Sequence, residues 1–544
     1  MTKKRLGLAV LLAAVLGLGF AATTAEDDDF FAIPKSIEIY GAAYKALVGQ
    51  YVNDPDPERL MQSGLEAMLA DLDPYTTLLD EADRTEALLR KRGGYGDVGL
   101  SLGRRGGKVV VTAPEENARA YEQGLRTGDV LLRVAGRAVD NLTLADVHEL
   151  LRGEPGTSVK VKVQREGQPE LMTFVLSRQK VDRRTVSHSG IISNDVGYVR
   201  LDRFGRRSGQ EVRKAMKKLQ KQRELNGFVL DLRGNPGGLL EQAVAVTGLF
   251  VPQGTEVVSM RGRTAQTQRT YRSKKAPLAP DVPLAVLIDD ISASASEIVA
   301  GAVQDLDRGV LVGETSFGKG LVQKVEQLPY NTALKLTVAE YFTPSGRNIQ
   351  SKDYRRDSAA TIPDSLRETY ETKGGRTVRG GGGIMPDVKA APPKPGALEQ
   401  ALKRRASFFF FANDYAARRD TLPDGFAVDD ALLADFREWL EERGFSYESD
   451  AQRALQALKG EVKKEGYAGA VRGDLKTLRQ ALQQQKQRAF ERHSSALKGE
   501  LRRAILARYL DRSGQRAALM EHERALQEAL RLLRDDGAYD DLLR

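Results

Sequence analysis

At 544 residues, 41% hydrophobic and 29% charged, the chain is long enough for three or four domains with sizeable cores, and its composition is that of a globular multidomain protein. Its 83 basic residues face 74 acidic ones, a net charge of +9; an excess so small and so mixed in sign argues against nucleic acid as a partner. With no cysteine there is no disulfide and no lipidation site, so an oxidising compartment leaves the fold unaffected.

Lys3-Lys4-Arg5, an apolar run at 6–22, Thr23-Thr24-Ala25 and the acidic stretch 26–29 read as a secretory signal. The apolar run spans about 26 Å as a helix, short of a hydrocarbon core of roughly 30 Å, so cleavage after Ala25 is expected rather than a retained anchor. The mature chain is then exported to the periplasm or cell envelope, and a retained signal segment would be its only membrane contact. Ile37, Tyr40, Tyr44, Leu47 and Tyr51 step by three and four, which predicts a helix. Asp56-Pro57 opens a second, with Met61, Leu65, Met68 and Leu72 as its buried face. Residues 26–90 are read as an N-terminal helical region.

From about 93 the pattern changes to Y-G-D-V-G-L-S-L, then G-L-R-T-G-D-V-L-L-R-V-A-G at 124–136, a helical T-L-A-D-V-H-E-L-L-R-G, and strands at 159–163 and 171–176. This stretch resembles a PDZ domain, with bounds 91–179. In Val98-Gly99-Leu100 an apolar-Gly-apolar turn would aim successive N–H groups at a C-terminal carboxylate, and a bound tail would add a strand along 100–102 beside the helix holding Val147 to Leu151. Arg152, in L-R-G after that helix, is a candidate contact for gating by substrate. His148 is given no chemistry.

Beyond Lys180 short apolar strands alternate with helices, the pattern of an α/β layer fold. A strand at 197–201 and a basic amphipathic helix at 208–225 precede a strand at 227–232, which feeds R-G-N-P-G-G and an apolar helix at 239–250. A second strand-turn-helix unit follows: apolar 284–288, then S-A-S-A-S at 292–296, then a packed helix through 303. A hydroxyl held at that helix N-terminus faces free N–H groups and the positive end of the macrodipole, which favour a developing alkoxide. Ser294 is therefore the candidate nucleophile, although S-x-x-E from Ser294 to Glu297 is equally a capping box.

A serine hydroxyl needs a base. The four histidines, His148, His188, His493 and His522, all lie outside 283–346, which leaves a lysine. Lys319 stands in F-G-K-G, where glycines permit close approach and apolar neighbours would desolvate the amine. A fall in its pKa from about 10.4 to roughly 7–8 costs on the order of 4 kcal/mol, within what a packed site imposes. Gln323, four residues on, shares a face with Lys319 in a strand or a helix and is placed to orient the amine.

At these residues the chain resembles the carboxyl-terminal processing, or tail-specific, proteases. S-A-S-E with a lysine 25 residues on in F-G-K-G, D-L-R-G-N-P-G-G at 231–238, Y-F-T-P-S-G-R at 341–347 and G-I-M-P-D-V at 383–388 carry the likeness. The resemblance, over about 34–390, implies a Ser–Lys–Gln serine endopeptidase in a crotonase/Clp-like α/β core at 180–391, using no metal and no cofactor. It also implies Gly238 and Ala295 as the N–H donors of an oxyanion hole, and protein substrates with accessible C-terminal tails. For the N-terminal helices it implies packing or dimerisation, compatible with a homo-oligomer. The family usually has histidine where Tyr75 stands. Asp231 is read as structural, pairing with Arg233, and Arg347 as either structural or a substrate contact. A PDZ adaptor on a silent protease scaffold is the rival reading, opposed by the presence of both serine and lysine.

Glycines at 380–383 and A-P-P-K-P-G at 391–396 mark a linker. From 397 to 544 apolar residues recur at helical spacing, as in Leu475, Leu478 and Leu482 and later Leu519, Leu526, Leu530 and Leu533. This predicts an all-helical domain with a packing or oligomerisation role.

Overall fold

The computed structural model describes residues 27–79, 96–114, 119–180, 184–354, 360–423, 425–510 and 512–544. The expected signal segment at 1–25 lies outside the described residues. The chain forms two units, one made of residues up to 81 with 323–337, the other of 82–322 with 338–544.

In the first unit α1 (Asp27–Gln50) and α2 (Pro57–Ala70) are the two expected helices. Asp56 caps α2 by accepting the N–H groups of Glu58 and Arg59 at 3.0 and 3.1 Å, with Pro57 at the first helical position. The expected buried face of α2 is corrected: none of its residues is buried, and Met61, Met68 and Leu72 are 39%, 52% and 50% exposed. Periodicity identifies an apolar stripe but not what covers it, and among the described residues only Leu65 of this stripe is half-buried. The short strand β1 (Thr77–Leu79) pairs antiparallel with residues 333–335.

The second unit opens with an antiparallel sheet of β2 (Leu100–Arg105), β3 (Lys108–Pro114), β4 (Val130–Val134), β5 (Ser158–Gln164) and β6 (Met172–Ser177), in that spatial order, which leaves β2 at an edge. Helix α3 (Leu144–Leu151) lies between β4 and β5 in the chain, opened by a Thr143–Asp146 capping box, and buries Val147 and Leu151. Val98, Leu100, Val111, Leu131, Val161 and Leu176 complete this core.

Then come β7 (Val186–Ile192), β8 (Val196–Leu201), α4 (Ser208–Gln222), β9 (Gly227–Asp231), α5 (Leu240–Thr247), β10 (Glu256–Gly262), β11 (Arg269–Arg272), β12 (Leu284–Ile288), α6 (Ala295–Asp305), β13 (Val310–Gly313), β14 (Leu321–Gln327) and β15 (Ala333–Phe342), whose residues 323–327 and 333–337 belong to the first unit, and β16 (Val388–Lys389). The central sheet runs β7-β8-β9-β12-β13-β16; β7 is antiparallel and the rest are parallel. Both faces of a parallel sheet must be covered, which is why its strands are almost continuously apolar. On one face Phe228, Leu230, Leu284, Val286 and Ile288 pack against α4, α5 and α6.

The other face is closed from the far end of the sequence. Val229, Ala285, Leu287, Val310 and Val312 pack against Leu526, Ala529, Leu530 and Leu533 from α10 (Arg524–Leu532) and its C-cap, and against Tyr539 of α11 (Asp536–Leu543). Tyr539 Oη accepts the Leu284 N–H at 2.9 Å and donates to the Leu284 carbonyl at 3.0 Å. Upstream, α7 (Ser407–Ala417), α8 (Asp430–Glu442) and α9 (Ser494–Tyr509) enclose an aromatic core of Phe408, Phe411 and Phe436 with Leu497, Leu501 and Ile505. From α7, Asn413 Nδ2 reaches the Gly128 carbonyl of the PDZ-like domain at 3.3 Å. The C-terminal helices therefore hold that domain at one end and the central sheet at the other. The Leu475–Leu478–Leu482 stripe buries nothing: its helix, Arg472–Gln487, has no buried residue.

Candidate active site

Two strand-turn-helix units place their turns side by side because β9 and β12 are adjacent and parallel, with Leu230 opposite Val286 and Asp231 opposite Leu287. After β9 the chain turns through Gly234-Asn235-Pro236-Gly237-Gly238; after β12 it turns through Ser292 to Ser296. Asn235 joins them, its carbonyl accepting the Ala293 N–H at 3.1 Å and the Ser296 hydroxyl at 2.8 Å. Gly237 is required here: its φ is +97°, and a Cβ would stand 2.6 Å from the Ala293 carbonyl oxygen and 2.9 Å from Ser294 Cβ. Gly238 and Ala295 each keep an N–H without an acceptor among the described residues, and the Gly237 contact brings their turns together.

Ser292 donates to the Leu232 carbonyl at 2.9 Å, and Ser292 and Ser296 are both fully buried. Ser294 between them is half-buried, with φ +53° and ψ −111°, a conformation that costs a non-glycine residue on the order of 1–3 kcal/mol. A strained serine at a strand-to-helix turn has the backbone geometry of a nucleophile elbow.

The contact that assembles the site is made by Glu297, fully buried on the first turn of α6. One carboxylate oxygen accepts the Ser294 N–H at 2.7 Å and the Lys319 N–H at 2.9 Å; the other accepts the Gly318 N–H at 2.7 Å and the Ser316 hydroxyl at 2.5 Å. Burial pushes this carboxyl above the ordinary glutamate range, against the pull of Ser316 and the three N–H groups. Tyr341 makes a second tie, its hydroxyl donating to the Ser294 carbonyl at 3.2 Å and to the Lys319 carbonyl. The Phe317 N–H adds a third, to the Ser292 carbonyl at 3.0 Å. Gly318 at φ +83° lets the lysine turn pass Ser351, whose Cβ a Gly318 Cβ would approach to 2.4 Å. Lys319 is half-buried.

The main chains of Ser294 and Lys319 are thus tied together by two residues whose roles spacing did not reveal. Glu297 was visible only as the end of a capping box, and Tyr341 only as the start of Y-F-T-P-S-G-R. Gln323 belongs to the other unit, where its amide donates to Thr337 Oγ1 at 3.3 Å. Of the histidines, His188 on β7 has Nδ1 2.9 Å from Ser513 Oγ. Asp231 is structural: fully buried, it accepts from Tyr198 Oη at 2.7 Å, Arg200 at 2.9 Å and Arg233 at 2.6 Å. Burial alone would raise its carboxyl, but Arg233 and Arg200 hold it well below the usual carboxylate range. Arg347 is structural as well, 1% exposed and paired with Asp305 at 2.7 Å.

In the PDZ-like domain Val98 and Leu100 are buried, and Gly99 N–H donates to Asp97 Oδ1 at 3.0 Å. Arg152 Nε lies 4.0 Å from Asp97 Oδ2. The turn expected to receive a terminal carboxylate therefore already holds one from its own chain.

Residues 195–360 match the model of peptidase family S41, 110–165 that of a PDZ domain, and 398–533 that of a probable PDZ-protease C-terminal helical domain. The chain is 33% identical over 364 residues to the carboxy-terminal-processing protease of Bartonella bacilliformis, covering 66% of this chain and 82% of that one. The chain belongs to the carboxy-terminal processing protease family. It is 30% identical over 336 residues to the carboxy-terminal processing protease CtpB of Bacillus subtilis, with 61% of this chain and 69% of that one covered. Among solved structures, a photosystem II D1 C-terminal processing protease is 30% identical, covering 67% of this chain and 94% of that one, with a TM-score of 0.36. As a member of this family the protein is a carboxy-terminal processing serine protease with a PDZ domain, an S41 core and a C-terminal helical domain.

Proposed function

We propose that the protein is an exported endopeptidase that captures protein C-termini in its PDZ domain and cuts near them through a Ser294–Lys319 acyl-enzyme. The observation that carries this is the Glu297 carboxylate bonded to the main-chain N–H of both residues, which fixes two turns that spacing alone only pairs. Lys319, as the neutral amine, takes the Ser294 proton while Oγ attacks the scissile carbonyl. The N–H groups of Gly238 and Ala295 receive the oxyanion. The lysine ammonium then returns its proton to the departing amine, and water, deprotonated by the same lysine, hydrolyses the ester. The assisting role of Gln323 rests on its spacing and on the family resemblance.

The tail pocket rests on Val98-Gly99-Leu100 at the head of the edge strand β2. A substrate carboxylate would displace Asp97 from the Gly99 N–H and meet Arg152 as Asp97 lets go. Export rests on the signal-like residues 1–25; among the described residues no helix is long and apolar enough to cross a membrane. The test is incubation of the purified protein with an unstructured peptide bearing an apolar tail, with products read by mass spectrometry. Cleavage near the C-terminus by the wild type, and none by Ser294→Ala, is expected. Comparable turnover by Ser294→Ala would overturn the assignment.

A further inference from the structure

Helices α4 and α5 and strand β11 enclose a cleft of about 320 Å3, at the small end of ligand pockets. Its lining includes the apolar side chains of Val244, Ala245 and Tyr271 and six cations: Arg206, Arg213, Arg269, Arg272, Lys274 and Lys275. Glu241 is the one carboxylate among its lining residues. Arg272 is paired with Glu256 at 2.8 Å and Arg269 lies over the Tyr271 ring at 4.9 Å. Arg206, Arg213, Lys274 and Lys275 have no carboxylate within ion-pair distance among the described residues.

Exposed lysines and arginines ordinarily serve solubility, and charges on an outer strand such as β11 also discourage edge-to-edge pairing. Such residues are usually interspersed with the opposite sign, as on the C-terminal helices, where Lys403 pairs with Glu399, Arg418 with Asp414 and Arg437 with Glu441. The cleft is different, because six cations and one carboxylate line a single concavity, which concentrates the field where a ligand would lie. Exposed Lys214, Lys217 and Lys218 on α4 extend that field.

The position of the cleft gives it a use. Glu241 follows Gly238 by three residues, so their Cα atoms are no more than about 11 Å apart. Gly209 at the start of α4 is tied to α5 by its N–H to Gln242 Oε1 at 3.1 Å. A scissile carbonyl at the Gly238 N–H therefore lies within the span of three to four extended residues of one lining residue of the cleft.

We propose that this cleft binds an acidic segment of the protein substrate, so that the protease selects chains carrying aspartate or glutamate a few residues from the bond it cuts. This rests on the reading of Gly238 as an oxyanion donor in an endopeptidase site. The cations act through binding and rate of encounter rather than through the chemical step.

The test has a binding arm and a turnover arm, both with the full chain. In the first, fluorescence anisotropy of Ser294→Ala protein is measured with a labelled peptide carrying an Asp/Glu block, and with its Asn/Gln twin. The acidic peptide is expected to bind at least about tenfold tighter, with the advantage lost in added salt and in the Arg213→Gln/Lys274→Gln/Lys275→Gln variant. An Arg213→Glu/Lys274→Glu/Lys275→Glu variant, which alters only surface side chains, should instead prefer a Lys/Arg twin. In the second arm, the acidic-to-neutral ratio of kcat/KM for tailed substrates should fall towards one in the Gln variant, through KM. Equal affinity for both twins, or a preference that survives the Gln variant, overturns the proposal. So does binding of inorganic phosphate or phosphatidylglycerol vesicles with no peptide preference, which would assign the cleft to phosphate groups. Charge-dependent binding without hydrolysis of any substrate would support the cleft and refute the endopeptidase reading, so the two failures are distinguishable.

Discussion

Replacing Glu297 by glutamine tests whether one buried carboxylate assembles the site. Each of its oxygens accepts from two donors, three of them main-chain N–H groups fixed by their turns and the fourth the Ser316 hydroxyl, which can rotate. An amide has one oxygen; with its NH2 towards Gly318 and Ser316 the hydroxyl can turn to accept, and the Gly318 N–H is left facing a donor. At least one hydrogen bond to a charged acceptor is lost outright, worth about 1.5–3 kcal/mol, and the others weaken with the loss of charge. Part of that loss appears in stability, and part in a Ser294–Lys319 geometry relaxed by fractions of an ångström. A misplacement of about 1 Å costs on the order of a hundredfold in rate, so a relaxation of that size lowers kcat by up to about a hundredfold. The assay combines urea unfolding at neutral pH with kcat and KM on a tailed peptide. The expected signature is a drop in kcat at nearly constant KM, with ΔG lowered by several kcal/mol. Glu297→Gln protein with wild-type kcat and stability within about 1 kcal/mol would refute the reasoning.

The tail pocket makes a prediction of opposite sign for two changes. Amidating the substrate C-terminus should weaken binding roughly ten- to a hundredfold by removing a charge-assisted bond to the 98–100 turn, while Asp97→Ala, which frees the Gly99 N–H, should tighten binding of the acid form about tenfold; isothermal titration with both peptides checks each. Asp231→Asn leaves Arg200 and Arg233 partly buried without their common counter-charge and should cost about 3–5 kcal/mol in urea unfolding. Because the folded carboxyl is held below its unfolded value, its contribution is complete above about pH 4 and is lost as pH falls further, so the Asn variant should show a shallower decline of stability in acid.

The fold was legible where local pattern and function coincide. The strand at 284–288 and the helix that starts after its turn follow from apolar runs and helix-start chemistry, and the structure has both; the lysine between glycines follows from spacing, and its main-chain N–H lies on the Glu297 carboxylate. What the pattern does not carry is the identity of a partner distant in sequence. Leu526, Leu530 and Leu533 form a helical stripe, while Leu519, read with them, ends a separate helix; that the three close the second face of the central sheet depends on Val229, Ala285 and Leu287, about 240–300 residues earlier. Met68 and Leu72 belong to an equally regular stripe, yet both are exposed among the described residues. Glu297 was masked differently: a capping glutamate is so common that its second oxygen, and the lysine turn bonded to it, left no separate trace in the sequence.

The central claim is that Lys319 is the base for Ser294, and kcat/KM against pH tests it most directly, on the wild type, Lys319→Arg and a variant lacking His148, His188, His493 and His522. Arginine keeps the charge but cannot give up its proton near neutrality, so Lys319→Arg should be inactive at every pH. The wild-type acidic limb should report a group titrating well below 10 and should stay in place when the histidines are removed. An active Lys319→Arg protease, or an acidic limb that vanishes with the histidines, would contradict the account.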